Sequence, residues 1–300
     1  MGTMGRRELL RRGLGIGLLA SGAGGLIASP GRLAFAAETT LAKLQRTKFV
    51  AVGIANEKPY GYVETDGKVT GAIVEVIRAT LAPYGVTDIQ PIVTNFDTLI
   101  PGLTASRFDI IGAGMYVKPK RCEAIAFTNP LTQAGGAFGA KKGNPKNLHS
   151  LKDVAKDPTA KIGTQTGTSQ VDEIKQAGIS PAQVVLFSKD TESIAGLQAG
   201  RVDVIYYPDL EINNLMATTA DPNLERVAPY EQIVGSNGKP SLNYQSLGLR
   251  KDDTDLLDAI NKQLAEMHTN GKLLSTLQPF GFTENEIPPA DVTAAQLCAG

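Results

Sequence analysis

The sequence predicts an α/β protein built as two similar lobes, and three observations carry that reading. Apolar β-branched runs alternate with runs of helical period, the mark of strands in a largely parallel sheet with helices packed on it. A phrase recurs: Leu103-Thr-Ala-Ser-Arg-Phe-Asp-Ile-Ile111 returns as Leu197-Gln-Ala-Gly-Arg-Val-Asp-Val-Ile205. Each copy reads as a helix end, a tight Ser/Gly-Arg turn and a strand that starts at Asp. Finally, Ala137-Phe-Gly-Ala-Lys-Lys-Gly-Asn-Pro145 and Tyr244-Gln-Ser-Leu-Gly-Leu-Arg-Lys-Asp252 match as a short strand, a basic pair and a break. They bracket the second copy, which implies two crossings between lobes and a hinge. The division expected is 37–141 plus 245–300 for the first lobe and 142–244 for the second, with hinge strands near 137–144 and 244–250.

In chain order, the first 36 residues read as a leader rather than fold. Arg6-Arg7-Glu-Leu-Leu-Arg11 resembles a twin-arginine export motif, an uncharged small and apolar run spans Leu14 to Ala28, and Ala34-Phe35-Ala36 has the small-x-small form of a cleavage site. The run is too short and too glycine-rich for a membrane anchor, so cleavage and an extracytoplasmic location are expected. Phe49-Val-Ala-Val-Gly-Ile54 is the first strand, and Ala55 to Tyr62 is a turn that places Glu57 and Tyr60 beyond its carboxyl end, where open α/β sheets bind ligands. Gly71 to Tyr84 is helical, with Ile73, Val76, Ile77 and Leu81 on one face. A strand at Ile89 to Val93 follows, then the loop Thr94-Asn-Phe-Asp97 and a helix through Leu99 and Leu103. Late in the chain, Thr254 to Asn270 is an amphipathic helix closed by Gly271, and the segment after Pro288-Pro289 reads as a surface tail.

Composition bounds the function. The chain has 300 residues and a formal net charge of +0, which argues against a nucleic-acid partner. Two cysteines are present, Cys122 and Cys298. In an oxidising compartment an even pair points to a disulfide, with free buried thiols as the alternative.

The stretch Gly112-Ala-Gly-Met-Tyr-Val-Lys-Pro-Lys-Arg-Cys-Glu123 organises the site. A strand runs into it, Pro119 suits the first position of a short helix, and Arg121 falls in that helix's first turn beside Tyr116. A guanidinium fork there suits a carboxylate; a surface pair with Glu123 or Asp97 is the plainer alternative. In the second half, Gly163 to Gln170 enters a helix at about Ser169, so Thr168 and the glycine amides could hold an anion or simply cap the helix. Asp209 follows the repeated strand and either faces a cation or caps the helix beyond it.

These residues resemble a known family. Leu99-Ile-Pro-Gly-Leu103, Arg107-Phe-Asp109, Gly114-Met115, Pro119-Lys-Arg121 and Phe127-Thr-Asn-Pro130 are similar to the polar amino acid class (family 3) of solute-binding proteins of ABC importers. Within it, Asn56-Glu57-x-Pro59-Tyr60, Thr94-Asn-Phe96, Lys120-Arg-Cys-Glu123 and Ala295-Gln-Leu-Cys298 resemble the ectoine/hydroxyectoine binders. The resemblance implies a two-lobed periplasmic-binding-protein fold (type II), each lobe a mixed, mainly parallel sheet flanked by helices, joined by a two-strand hinge. It also implies that Glu57 faces a cationic ring, Arg121 holds a carboxylate, and Tyr60, Phe96 and Tyr116 form a cage, with Thr168 and Asp209 as second-lobe contacts. Tyr116 and Lys118 stand where amino-acid binders carry Ser or Thr, which disfavours an α-amino acid, whereas Thr166-Gly-Thr168 and Asp209 favour one. The expected partners are a small zwitterion (ectoine, hydroxyectoine, proline, a betaine or a polar amino acid) and a membrane permease. A monomer without cofactor or metal is expected. An enzyme reading, as a cyclic-amino-acid dehydratase with Glu57 or Asp209 as general acid, is weaker: His149 and His268 lie far from the site motifs and no nucleophile is activated.

Overall fold

A computed structural model of the chain describes residues 38–235 and 238–300, so the leader expected at 1–36, with its arginine pair and cleavage site, lies outside the described residues. The first lobe opens with α1 (Thr40–Thr47) and β1 (Phe49–Ile54), followed by a small hairpin of β2 (Tyr62–Val63) and β3 (Val69–Thr70). Next come α2 (Ala72–Leu81), β4 (Asp88–Val93), α3 (Leu99–Thr104), β5 (Ile110–Tyr116), α4 (Pro119–Cys122), β6 (Ala126–Phe127) and β7 (Thr132–Ala134). Helix α2 forms where the sequence places it, because Ile73, Val76, Ile77 and Leu81 make one buried stripe. Its first amides, Ala72 and Ile73, donate to the carbonyls of Pro59 and Tyr60, which pins the turn after β1 to the helix.

The second lobe contains β8 (Gly136–Lys141), α5 (Leu151–Lys156), β9 (Ile162–Gln165), α6 (Ser169–Gln176), β10 (Val184–Phe187), α7 (Asp190–Gln198), β11 (Val204–Pro208), α8 (Asp209–Thr219) and β12 (Leu224–Arg226). The chain then returns through β13 (Asn243–Leu249), α9 (Thr254–Thr269), α10 (Lys272–Leu277) and α11 (Ala294–Ala299). The first sheet runs β4-β1-β5-β13-β6 with β7 beside β13; the second runs β10-β9-β11-β8-β12. Helices cover both faces of each sheet. In the first lobe α2, α9 and α10 bury Ile77, Ile260 and Leu277 against Val50 and Val52, while Leu99, Leu103 and Phe108 fill the other side with Ala294.

The strand pairing corrects the expected lobe boundary. Residues 136–141 were placed in the first lobe, yet β8 pairs antiparallel with β11 and β12 in the second sheet. The chain changes sheets earlier, at Gly135 between β7 and β8, and again between β12 and β13. The two matching strands therefore occupy corresponding places in separate sheets instead of crossing between them. The end of the chain lies on the surface and carries the expected disulfide, Cys298 to Cys122 with their Cα atoms 5.7 Å apart; what the sequence did not show is that it is helical there, α11 starting from a capping box of Thr293 and Gln296, with Ala294 N–H donating to Asn129 Oδ1 at 3.2 Å.

The recurring phrase has a shared physical job. In the first lobe Ser106 and Arg107 N–H groups donate to Leu103 and Gly102 carbonyls; in the second Gly200 and Arg201 donate to Leu197 and Gly196. The aspartate two residues after each arginine then holds the neighbouring strand: Asp109 Oδ2 accepts from Ala51 N–H at 3.2 Å and Asp203 Oδ2 from Lys161 N–H at 2.7 Å. Asp109 is buried and answered by Lys43 (3.1 Å) and Arg250 (3.3 Å), whereas Asp203 is half-exposed and meets Lys146 at 3.2 Å.

The opening of the site stretch is a bulge. Ser246 of β13 opposes Met115 and Gly248 opposes Ile111, so two steps on β13 span four on β5. The surplus falls on Gly112-Ala113-Gly114, and Gly114 takes φ 60, which a side chain resists. A Cβ there would lie 2.7 Å from the Tyr60 ring. The bulge thus makes the seat on which Tyr60 rests.

Two outcomes follow. Asp109→Ala, which removes a buried carboxylate from the Ala51 amide and Lys43 while Arg250 keeps Asp253 at 2.9 Å, is expected to cost about 2–3 kcal/mol in denaturant unfolding, and Asp203→Ala about 1 kcal/mol. Equal costs would refute the burial argument. Gly114→Ala is expected to destabilise the fold by about 1–3 kcal/mol and to weaken ligand capture, read by chemical denaturation and calorimetry.

Candidate functional site

The carboxyl ends of β1, β5, β9 and β11 and the turns beyond them border one cavity. Six of the seven expected residues line it. Glu57 and Tyr60 come from the turn after β1, Phe96 from the turn after β4, Tyr116 from the end of β5, Arg121 from α4 and Thr168 from the start of α6. Asp209 does not line the cavity: it is the first residue of α8 and its Oδ1 accepts from the Leu210 amide at 2.7 Å. Two residues further on, Glu211 faces the cavity instead. A helix turns about 200° over two residues, which explains why one carboxylate is inside and the other is not.

Arg121 is fixed by two neutral acceptors. Nη1 donates to the Tyr116 carbonyl at 2.8 Å and Nη2 to the Gly167 carbonyl of the second lobe at 2.9 Å. Its guanidinium stands 5.6 Å from the centre of the Phe96 ring. Among the described residues no carboxylate lies within ion-pair distance of it, Glu123 and Asp97 included. Burial lowers its pKa to about 10, partly offset by Asp172 and Tyr116, so it stays cationic at neutral pH. Gly167 approaches the first lobe closely: a Cβ there would sit 2.7 Å from Asp97 Cβ, and its φ is +81. The lobes therefore meet at the residue that Arg121 grips.

The acidic end is electrostatically strained. Glu57 is buried and pushed up to about 8, chiefly by burial and then by the charge of Asp190. Burial likewise raises Glu211 well above the carboxylate range, with Glu57 and Asp190 adding to it. Glu57 Oε1, Glu211 Oε1, Tyr60 OH, Tyr116 OH and Ser169 Oγ are buried and lack a hydrogen-bond partner in the protein. Polar atoms in that condition each cost stability unless a bound group satisfies them. Thr168 differs, since its hydroxyl already donates to the Gln165 carbonyl at 2.8 Å.

Gln165, Ser169 and Gln170, from the 163–170 stretch that the sequence offered as an anion site, also line the cavity, whereas Tyr207 and Glu211 escaped sequence reasoning. Tyr207 could have been found from strand alternation. Tyr206 points to the core, where it bonds Glu173, so its neighbour must face the other way. Glu211 had no such signal, because α8 carries apolar and polar residues all round. Of the two histidines, His149 Nδ1 lies 2.7 Å from the Pro229 carbonyl and His268 is in α9; neither lines the cavity. Among the described residues no group of three or more side chains is arranged to hold a metal ion.

Comparison with known proteins fits this architecture. Residues 50–283 match the family model of bacterial extracellular solute-binding proteins, family 3. The chain is 30% identical over 267 residues to a probable amino-acid ABC transporter periplasmic-binding protein of Sinorhizobium fredii, covering 88% of this chain and 87% of that one. It is 26% identical over 251 residues to the L-cystine-binding protein TcyJ of Escherichia coli, covering 83% and 88%. Among solved structures it is similar to EhuB in complex with hydroxyectoine, at TM-score 0.77 and 35% identity, over 86% of this chain and 97% of that one. With two helix-covered sheets, a cleft at their strand ends and a family match across most of its length, the chain belongs to the bacterial extracellular solute-binding proteins, family 3, and has their two-lobed type II fold.

Proposed function

We propose that this protein is the extracytoplasmic binding component of an ABC importer and captures a compact zwitterion, ectoine or hydroxyectoine, which it delivers to a membrane permease. The supporting observation is the composition of one cavity: a cation without a carboxylate partner, Arg121, shares it with the buried acid Glu57 and the rings of Tyr60, Phe96 and Tyr116. Ectoine carries a carboxylate and a positive charge spread over an amidine. A guanidinium answers the first with paired hydrogen bonds, and a delocalised cation favours ring faces by about 0.5–2 kcal/mol per contact. The likeness to EhuB with hydroxyectoine points the same way. Export of the chain by the leader at 1–36 belongs to the same proposal.

A polar amino acid is the second reading, favoured by the amino-acid transporter protein of Sinorhizobium fredii and by the two acids in the cavity. Under an enzyme reading, with Glu57 as general acid, the ligand would be consumed; under the proposed one it is recovered unchanged.

Calorimetry with ectoine, hydroxyectoine, proline and glutamine tests this, and tightest binding of ectoine or hydroxyectoine is expected. Arg121→Ala should weaken that binding by about 2–5 kcal/mol, because a carboxylate loses its charged partner. Phe96→Leu should cost less, about 0.5–2 kcal/mol. Unchanged affinity in Arg121→Ala rules out this site.

A further inference from the structure

The cavity holds two buried carboxyl groups, one more than the single cation of a zwitterion can answer. Glu57 and Glu211 both line it, each is 4% exposed, and each has an Oε1 without a partner. They come from opposite lobes, Glu57 from the turn after β1 and Glu211 from the first turn of α8. Around them stand Tyr60 from that same turn, Tyr116 from β5, Tyr207 from β11 and Asp190 from the head of α7. Asp190 already accepts from the Thr191 amide at 2.6 Å, Tyr207 bonds Ser193, and Asp209 lies outside on α8 with its own backbone partner. Among the described residues no lysine or arginine is within ion-pair distance of Glu57, Glu211 or Asp190. Arg121 is the cation of the cavity, and it sits with Phe96 and Gly167.

The charge sum decides the matter. With both glutamates ionised, the two carboxylates of the lining against one guanidinium leave a net −1 before Asp190 behind them is counted, and a zwitterion adds nothing to that balance. A buried uncompensated charge is far costlier than a carboxyl that keeps its proton. When the cation of the ligand lies against one glutamate, that one ionises and the other becomes harder to ionise; the proton belongs to the pair until a ligand separates them.

We propose that Glu211 sets the net charge of the ligand this cavity accepts: it enters the closed complex as the neutral acid, so that a zwitterion is captured together with one proton. In its ionised form Glu211 suits a ligand carrying one further positive charge. The proposal rests on the zwitterion reading of the same cavity. Protonated, the carboxyl also becomes a donor and so offers a hydrogen bond to an acceptor on the ligand. Glu57 cannot take this role if it answers the cation.

The test is calorimetry of the full mature chain and of Glu211→Gln with ectoine and with L-arginine between pH 6 and pH 8, in two buffers of different ionisation enthalpy. Both probes keep their charges across this range, and so does Arg121. For the wild type, counted from the open protein in which water reaches both glutamates and ionises them, uptake of close to one proton per ectoine is expected, with Kd rising up to about tenfold per pH unit. Glu211→Gln should lose the pH dependence and proton uptake with ectoine, and bind L-arginine more weakly than the wild type does at pH 8. A wild type that binds ectoine without proton uptake overturns the proposal, as does a natively folded Glu211→Gln that keeps the proton uptake of the wild type. If the variant fails to fold, proton uptake by the wild type decides alone. If ectoine does not bind, L-glutamine takes its place: proton uptake with glutamine keeps the role of Glu211 and removes only ectoine. Binding of L-arginine alone without proton uptake, or of none of the three, overturns both.

Discussion

A guanidinium held by two carbonyls, one from each lobe, is the constraint around which the molecule is arranged. The Tyr116 and Gly167 carbonyls orient Arg121 without neutralising it, so its charge remains for whatever enters the cavity. An aspartate in place of either carbonyl would hold the side chain as firmly and cancel its field. Everything nearby serves that arrangement. Pro119 starts the short helix that carries Arg121, the bulge at Gly112–Gly114 seats Tyr60, and Gly167 lets the second lobe come close to Asp97.

A second set of contacts ties the lobes together outside the cavity. Lys118 donates to Asn243 Oδ1 at 2.5 Å, Asn243 Nδ2 donates to Glu173 at 2.8 Å, and the Tyr206 hydroxyl reaches the other oxygen of Glu173 at 2.5 Å. Lys118 and Asn243 belong to the first lobe, Glu173 and Tyr206 to the second. None of these four residues lines the cavity, so their bonds hold the lobes together without touching what the cavity holds.

Much of the fold was legible because its signals are local. Strand β1 and helix α2 are runs whose apolar period survives any context, and the recurring phrase announced two related lobes through identical turn chemistry. Arg121, Tyr116 and Glu57 could be placed because each follows a strand closely, and strand ends converge in such sheets. What escaped depends on distant partners. The lobe of residues 136–141 is fixed by pairing with β11, some seventy positions along the chain (Ile205 opposite Gly139), and nothing within the segment encodes it. Helix α11, at six residues, is too short to show a period and is held by its cap, Asn129 and the disulfide. Glu211 was missed because an acid in a first helical turn usually answers the helix dipole at the surface. Its burial here is imposed by the opposing lobe.

The disulfide bears on how the protein should be made. Cys122 adjoins Arg121, and its partner Cys298 lies beyond the 50–283 stretch that the family model matches. Chain expressed in a reducing cytosol, or trimmed to the matched segment, keeps both sheets but loses the brace beside its key cation. Recombinant material should therefore be folded oxidatively and carried through to its final residues before its affinity is taken as that of the exported protein.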